Sequence, residues 1–151
     1  MIRRVNQEIS QPQVITVFIL FFFAASVIFQ SCVRYIAGYD PIALDKAVSL
    51  KSEAINLVKK ATEPYADHEQ EIRALILKVD QAYEYACSLP KNNLTARQWQ
   101  VLKDPDRNLL GGFFNYWQQK EKLTQEFIAE ISGEISRAFD AIIKLETLKD
   151  R

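Results

Sequence analysis

The chain of 151 residues contains one histidine, two cysteines and four glycines. Zinc sites normally use several His or Cys ligands, so this composition argues against a zinc centre. A di-metal helical bundle needs paired Glu-x-x-His motifs, and the residue three positions before the single histidine, His68, is Tyr65. We therefore expect no metal site, and we place His68 on the surface in the first turn of a helix.

Sequence patterns of common catalytic sites are also missing. The chain has no Gly-x-Ser-x-Gly turn, no phosphate-binding loop and no glycine-rich dinucleotide turn. It has 19 basic and 19 acidic residues, and this balance removes the electrostatic basis for binding nucleic acid. We expect a protein that is not an enzyme, uses no cofactor and does not bind nucleic acid.

The first 32 residues have the order of a secretory leader. A basic start is followed by an uncharged apolar run over 14–29, and a small residue, Ser31, stands before Cys32. This order resembles the lipobox signal of bacterial lipoproteins, and the remainder of the chain resembles small helical envelope lipoproteins. The resemblance implies that diacylglycerol is attached to Cys32 and that the chain is cut between Ser31 and Cys32. The same resemblance implies export to the outer membrane, because in that family a valine such as Val33 after the cysteine does not retain the protein at the inner membrane.

Two other interpretations of the leader stay open. From Val14 to Val33 the chain carries no charge, and roughly 20 apolar residues are enough to cross a bilayer core as an uncleaved helix. A simple cleaved signal is the other alternative. All three place the chain from about residue 40 onward outside the inner membrane. We expect a location in the bacterial cell envelope, facing the periplasm, with an unidentified envelope protein as partner.

We divide the chain into a signal peptide or anchor (1–31), a tether (32–39) and a helical domain (40–151). Apolar residues in the last part recur at helical spacing, and no stretch alternates as a strand would. The expected fold is all-α: an antiparallel bundle of three main helices plus one short helix, preceded by an apolar signal or anchor helix. The helices are expected over 41–63, 65–88, 95–103 and 113–149.

Local signals set these bounds. Asp40 and Pro41 are a cap and first residue for the first helix. Thr95, with a glutamine three positions later, has the pattern of a capping box for the short helix. Gly111 and Gly112 are expected to form a bend or to allow a close approach of backbone, because glycine weakens a helix by about 1 kcal/mol relative to alanine.

Aromatic residues cluster around the two glycines. They are expected to fill one end of the bundle, since each buried ring removes a large area from water. The alternatives are an exposed patch that contacts a partner, or a ligand pocket around Trp99 and Trp117. The candidate partner or pocket residues are Trp99, Phe114, Tyr116 and Trp117.

Two further features have an ordinary and a functional interpretation. Glu126, Glu130 and Glu134 recur every four residues on the last helix; we expect a solvated face, with an acidic site for a cation or a basic partner as the alternative. Cys87 is expected to be a buried or half-buried structural thiol. It stays unpaired if Cys32 carries lipid, and otherwise the two cysteines are able to pair in an oxidising compartment.

Overall fold

The computed structural model describes residues 37–149, and within this range the chain is helical and has no β-strand. The all-α class is thus confirmed for these residues. The leader, including Ser31 and Cys32, lies outside the described residues. Five α-helices follow one another, and a 3₁₀ helix (Lys59–Thr62) extends the first: α1 Pro41–Val58, α2 Tyr65–Ser88, α3 Asn93–Lys103, α4 Leu110–Lys120 and α5 Gln125–Thr147.

α1 begins where its sequence signal predicts, and α2 has the predicted bounds, but α1 ends at Val58 and a 3₁₀ helix covers most of the remainder of the predicted 41–63. The Asp40 carboxylate accepts hydrogen bonds from the amides of Ile42 (2.8 Å) and Ala43 (3.2 Å), which caps α1. The 3₁₀ helix ends before Pro64, because the residue that precedes proline avoids the helical region.

The start of α3 differs from the prediction. The helix begins at Asn93, and Thr95 lies inside it and is buried, so the predicted capping box is wrong. Asn92 occupies the cap position, and its side-chain amide donates instead to the carbonyl oxygen of Ala86 at 3.0 Å. The end of α2 and the start of α3 are thereby tied together by a buried side chain.

The long helix expected over 113–149 is wrong, because the chain breaks between α4 and α5. Glu121 has a positive φ of 63°, and its carbonyl oxygen accepts from the amide of Tyr65 at 2.9 Å. The amide of Leu123 donates to the carbonyl oxygen of Ala61 at 2.8 Å. Thr124 then caps α5 through the amide of Phe127. The described residues therefore form five α-helices instead of the four expected.

The helices share one core. α5 packs along α1 and α3, α2 packs along α1 and α3, and α4 lies against α2 and α3. Burying a large aliphatic or aromatic side chain contributes about 1.5–3 kcal/mol, so this shared core is the main source of stability. Its largest fully buried apolar side chains are Trp117, Phe139, Ile72, Leu75, Leu102, Leu110, Ile128, Ile135 and Ile142.

The glycine pair lies within the first turn of α4 and does not interrupt it. A Cβ atom added to Gly111 would overlap the carbonyl oxygen of Lys103, and one added to Gly112 would overlap that of Arg107. The close approach of backbone, one of the two predicted roles, is therefore confirmed, and the predicted bend is wrong. The carbonyl of Lys103, the last residue of α3, and that of Arg107 in the α3–α4 connection lie where any other residue would have a side chain.

We expect Gly112→Ala to destabilise the domain by about 1–3 kcal/mol or more, because the added methyl group needs backbone atoms to move. Gly133→Ala in α5 is the matched control. Its methyl group would come only to 3.6 Å from Nη1 of Arg137, and alanine is the better helix former by about 1 kcal/mol. Urea or thermal unfolding measures both. Equal destabilisation by the two variants would contradict the close approach.

Candidate functional site

A groove of about 710 Å³ lies between the 105–108 loop, α4 and α5. We call it the Tyr116 groove. Tyr116 is 39% exposed, and its ring packs against that of Phe127 with 5.2 Å between centroids. Phe113 and Ile131 contribute apolar surface at the bottom. The groove therefore offers a partly apolar floor that solvent reaches.

Carboxylates dominate the rim of the Tyr116 groove. Asp106, Glu130 and Glu134 line it, against one lining cation, Arg107. Glu134 is paired with Arg137, and Arg107 lies 3.6 Å from Asp104. Asp106 and Glu130 have no ion-pair partner among residues 37–149, so the rim carries unneutralised negative charge. The ammonium of Lys120 lies 5.7 Å from the centre of the Tyr116 ring.

The solvated face predicted for the last helix is confirmed, since Glu126, Glu130 and Glu134 are all exposed. Only Glu130 and Glu134 of the three belong to the groove. The helical repeat of four residues identified this acidic face from sequence. It did not reveal that the 105–108 loop and α4 stand opposite, because that depends on the break between α4 and α5.

The four candidate aromatic residues separate into one exposed and three buried side chains. Trp99 is buried and packs edge-to-face against Phe139, with centroids 5.9 Å apart. Trp117 is fully buried and donates its indole N–H to the carbonyl oxygen of Glu63 at 3.1 Å. Phe114 is buried and lines a smaller groove of about 330 Å³ on another side of α4. Tyr116 alone is accessible to a macromolecular partner.

His68 is not the surface residue that its position in the first helical turn predicted. It is 8% exposed and packs against Trp117, with ring centroids 5.7 Å apart. Its Nε2 lies 2.6 Å from a carboxylate oxygen of Glu63, and its Nδ1 lies 3.7 Å from Glu71. The error has a physical cause, since α4 covers this side of α2 and only the tertiary structure brings it there.

Buried charges join two helix ends at one pole of the domain. Glu146 is 0% exposed and accepts a hydrogen bond from Nζ of Lys149 at 2.5 Å. Lys149 also donates to the Asn92 side chain at 2.6 Å. The sequence patterns did not indicate this cluster, although Glu146 lies four residues after Ile142 and thus continues the apolar stripe.

The same pole carries the cap of α1. The Tyr85 hydroxyl donates to Asp40 at 2.7 Å. Partial burial favours the neutral form of Asp40, but hydrogen bonds from Tyr85 and from the amides of Ala43 and Ile42 outweigh it and hold its pKa below the ordinary value. The hydrogen bond to Asp40 raises the pKa of Tyr85. We call this end, formed by the start of α1, the α2–α3 turn and the end of α5, the base pole.

Other candidate chemistry is sparse in the described part of the chain. Cys87 is exposed, which corrects the prediction of a buried or half-buried thiol; it lies on the outer face of α2, next to the buried Ala86. Within residues 37–149 no three His, Cys, Asp or Glu side chains come together as a metal site would need. None of the described helices combines the length and the apolar character that a membrane crossing requires.

Comparison with known proteins gives no match to a family model, a curated protein or a solved structure.

Lys149→Ala should destabilise the domain by about 3–5 kcal/mol, because it leaves the Glu146 carboxylate buried without its partner. Lys144→Ala, at an exposed position in the last turn of α5, is the control and should change little. Replacing the pair together, with Lys149→Met and Glu146→Leu, should recover most of the loss. Urea unfolding distinguishes these outcomes, and a Lys149→Ala variant as stable as the control would show that the charge pair does not hold the base pole.

Proposed function

We propose that this protein is a membrane-anchored envelope lipoprotein whose helical domain faces the periplasm and acts as a binding or scaffold module. The leader supports the anchor, since a basic start, an apolar run and Ser31 before Cys32 follow one another as in lipoproteins. Two acyl chains give stable attachment, whereas one binds a membrane only marginally. The outer membrane is the proposed destination, because valine follows Cys32.

The Tyr116 groove is the observation that carries the binding role. It combines an accessible aromatic floor with a rim on which Asp106 and Glu130 have no ion-pair partner among the described residues. Charge complementarity favours a cationic occupant. We therefore propose that the partner is an envelope protein, and that it inserts a segment with a basic and an apolar side chain into this groove. No catalytic step is part of the proposal.

We also propose that the five helices form an antiparallel bundle in which α3 and α4 together run from one end to the other, as α1, α2 and α5 each do. The contacts between helix ends support this arrangement. Asn92, at the start of α3, meets Lys149 beyond the end of α5. Leu123, after α4, meets Ala61 beyond the end of α1. The two short helices thus lead from one pole to the other. The apolar signal or anchor helix expected before the domain belongs to the same proposal.

The alternative is a bitopic inner-membrane protein with an uncleaved N-terminal helix and the same periplasmic domain. It is supported by the uncharged stretch from Val14 to Val33, which is long enough to span a bilayer core of about 30 Å. The two candidates share the groove and differ only in the anchor.

Cys32→Ala tests the anchor directly. If the thiol carries the lipid, the variant should keep its leader and lose labelling by a clickable fatty acid, while Cys87→Ser should be processed and labelled normally. Mass spectrometry of the purified N-terminus gives the product. Intact Met1 in the unsubstituted protein would support the bitopic alternative, and unchanged maturation of Cys32→Ala would end the lipoprotein proposal.

Photocrosslinking in the native envelope tests the groove. Benzoylphenylalanine in place of Gln119, which lines the groove, should form an adduct whose peptide carries a basic residue. Glu130→Lys should abolish this adduct by repelling the cation, whereas Asp45→Lys makes the same charge change on exposed α1 and should preserve it. An adduct that survives Glu130→Lys, or no adduct at all, would contradict the proposed groove.

A further inference from the structure

Three of the six exposed large aliphatic side chains among residues 37–149 lie at the base pole, and the other three, Val48, Ile76 and Leu77, lie along α1 and α2. Ile42 in the first turn of α1 is 56% exposed, Leu94 in the first turn of α3 is 51% exposed, and Leu148 after α5 is 69% exposed. Each lies within two residues of a member of the polar cluster, namely Asp40, Asn92 or Lys149. Since hydrogen bonds join these members at their helix ends, the three aliphatic side chains belong to one end of the domain.

The opposite pole has a different surface. It consists of the 3₁₀ helix with the residues that follow it (59–65) and of the α4–α5 turn (120–125), joined by the backbone hydrogen bonds of Tyr65 and Leu123. Neither segment contributes an exposed large hydrophobic residue. Lysines and glutamates are frequent in both segments. The base pole therefore exposes large apolar side chains, whereas the opposite pole does not.

Charge at the base pole is compatible with a lipid surface. The turn over 89–94 contains one charged residue, the exposed Lys91, and no carboxylate. The Asp40 carboxylate accepts hydrogen bonds from Tyr85 and from amides of α1. Glu146 is buried beside Lys149. A lysine among aliphatic side chains suits the boundary between anionic headgroups and acyl chains.

The length of the chain before the domain fits the same conclusion. The base pole includes Ala37, whose amide donates to the carbonyl oxygen of Lys91 at 3.2 Å. Only five residue steps separate Cys32 from Ala37, a distance of at most about 18 Å even when fully extended. An anchor at Cys32, or an apolar span that ends at Val33, therefore keeps this pole close to the bilayer.

We propose that the base pole is a membrane-contacting surface, on which Ile42, Leu94 and Leu148 insert into the lipid interface while Lys91 faces the headgroups. The proposal rests on the membrane anchor of the proposed function and adds the orientation of the domain. With the base pole on the bilayer, the charged opposite pole points away from it.

Fluorescent labels at single positions test this orientation in the full chain. Leu94→Cys and Leu148→Cys report the base pole, and Lys122→Cys in the α4–α5 turn is the matched control. Each is made in a Cys87→Ser background. Labelling the Cys87→Ser protein alone measures any fluorescence that comes from a label on Cys32. The proteins are reconstituted into vesicles of phosphatidylethanolamine and phosphatidylglycerol, with and without lipids that carry a nitroxide near the headgroup.

We expect labels at positions 94 and 148 to emit at shorter wavelength and to lose fluorescence in nitroxide vesicles, and the label at position 122 to do neither. Flotation of the vesicles distinguishes a failure of the proposed orientation from a failure of the proposed anchor. Protein that floats with the vesicles but shows equal quenching at all three positions overturns the orientation and leaves the anchor intact. Protein that fails to float overturns the anchor of the proposed function.

Discussion

The approach of α4 to the end of α3 is the constraint on which the rest of the domain depends. Gly111 and Gly112 lie against the carbonyl oxygens of Lys103 and Arg107, in space that a side chain would fill. This contact brings the first turn of α4 against the preceding connection, so that both Phe113 and Phe114 become buried. It also leaves the 105–108 loop standing opposite α5, which creates the Tyr116 groove.

The two poles are held by different means. Backbone hydrogen bonds join the 3₁₀ helix, the start of α2 and the α4–α5 turn at one end. At the base pole the side chains of Asp40, Tyr85, Asn92, Glu146 and Lys149 provide most of the links, beside one backbone hydrogen bond from Ala37 to Lys91. A buried ion pair contributes little net stability against an apolar replacement, yet losing one partner is costly. Such a cluster therefore favours one register of the helix ends over alternatives.

The proposed anchor, groove and orientation are consistent with one another. A domain that rests on its base pole keeps the flank of α4 and α5 open to the periplasm. The Tyr116 groove runs along that flank. Gln119, which lines it, lies one residue from the end of α4 that is farther from the base pole. A segment of another envelope protein would then reach the acidic rim without competing with the lipid surface.

Local chemistry was enough to predict much of the helical structure. Asp40 and Pro41 set the start of α1, Pro64 separates the first two helical segments, and apolar residues at helical spacing identified α2 and most of the α5 core face. These signals depend on neighbours within a few residues, and they can therefore be recognised from the sequence alone. The exposed face of Glu126, Glu130 and Glu134 followed from the same periodicity.

The remaining features required contacts between distant segments. No proline or glycine marks the break at Glu121, which is held by bonds to Tyr65 and Ala61 across the fold. Burial of His68 depends on α4 covering α2, and burial of Lys149 depends on an asparagine more than fifty positions earlier. Hydrophobic periodicity reports which face of a helix turns inward. It does not report which helix end meets which, and that meeting creates the groove and the base pole.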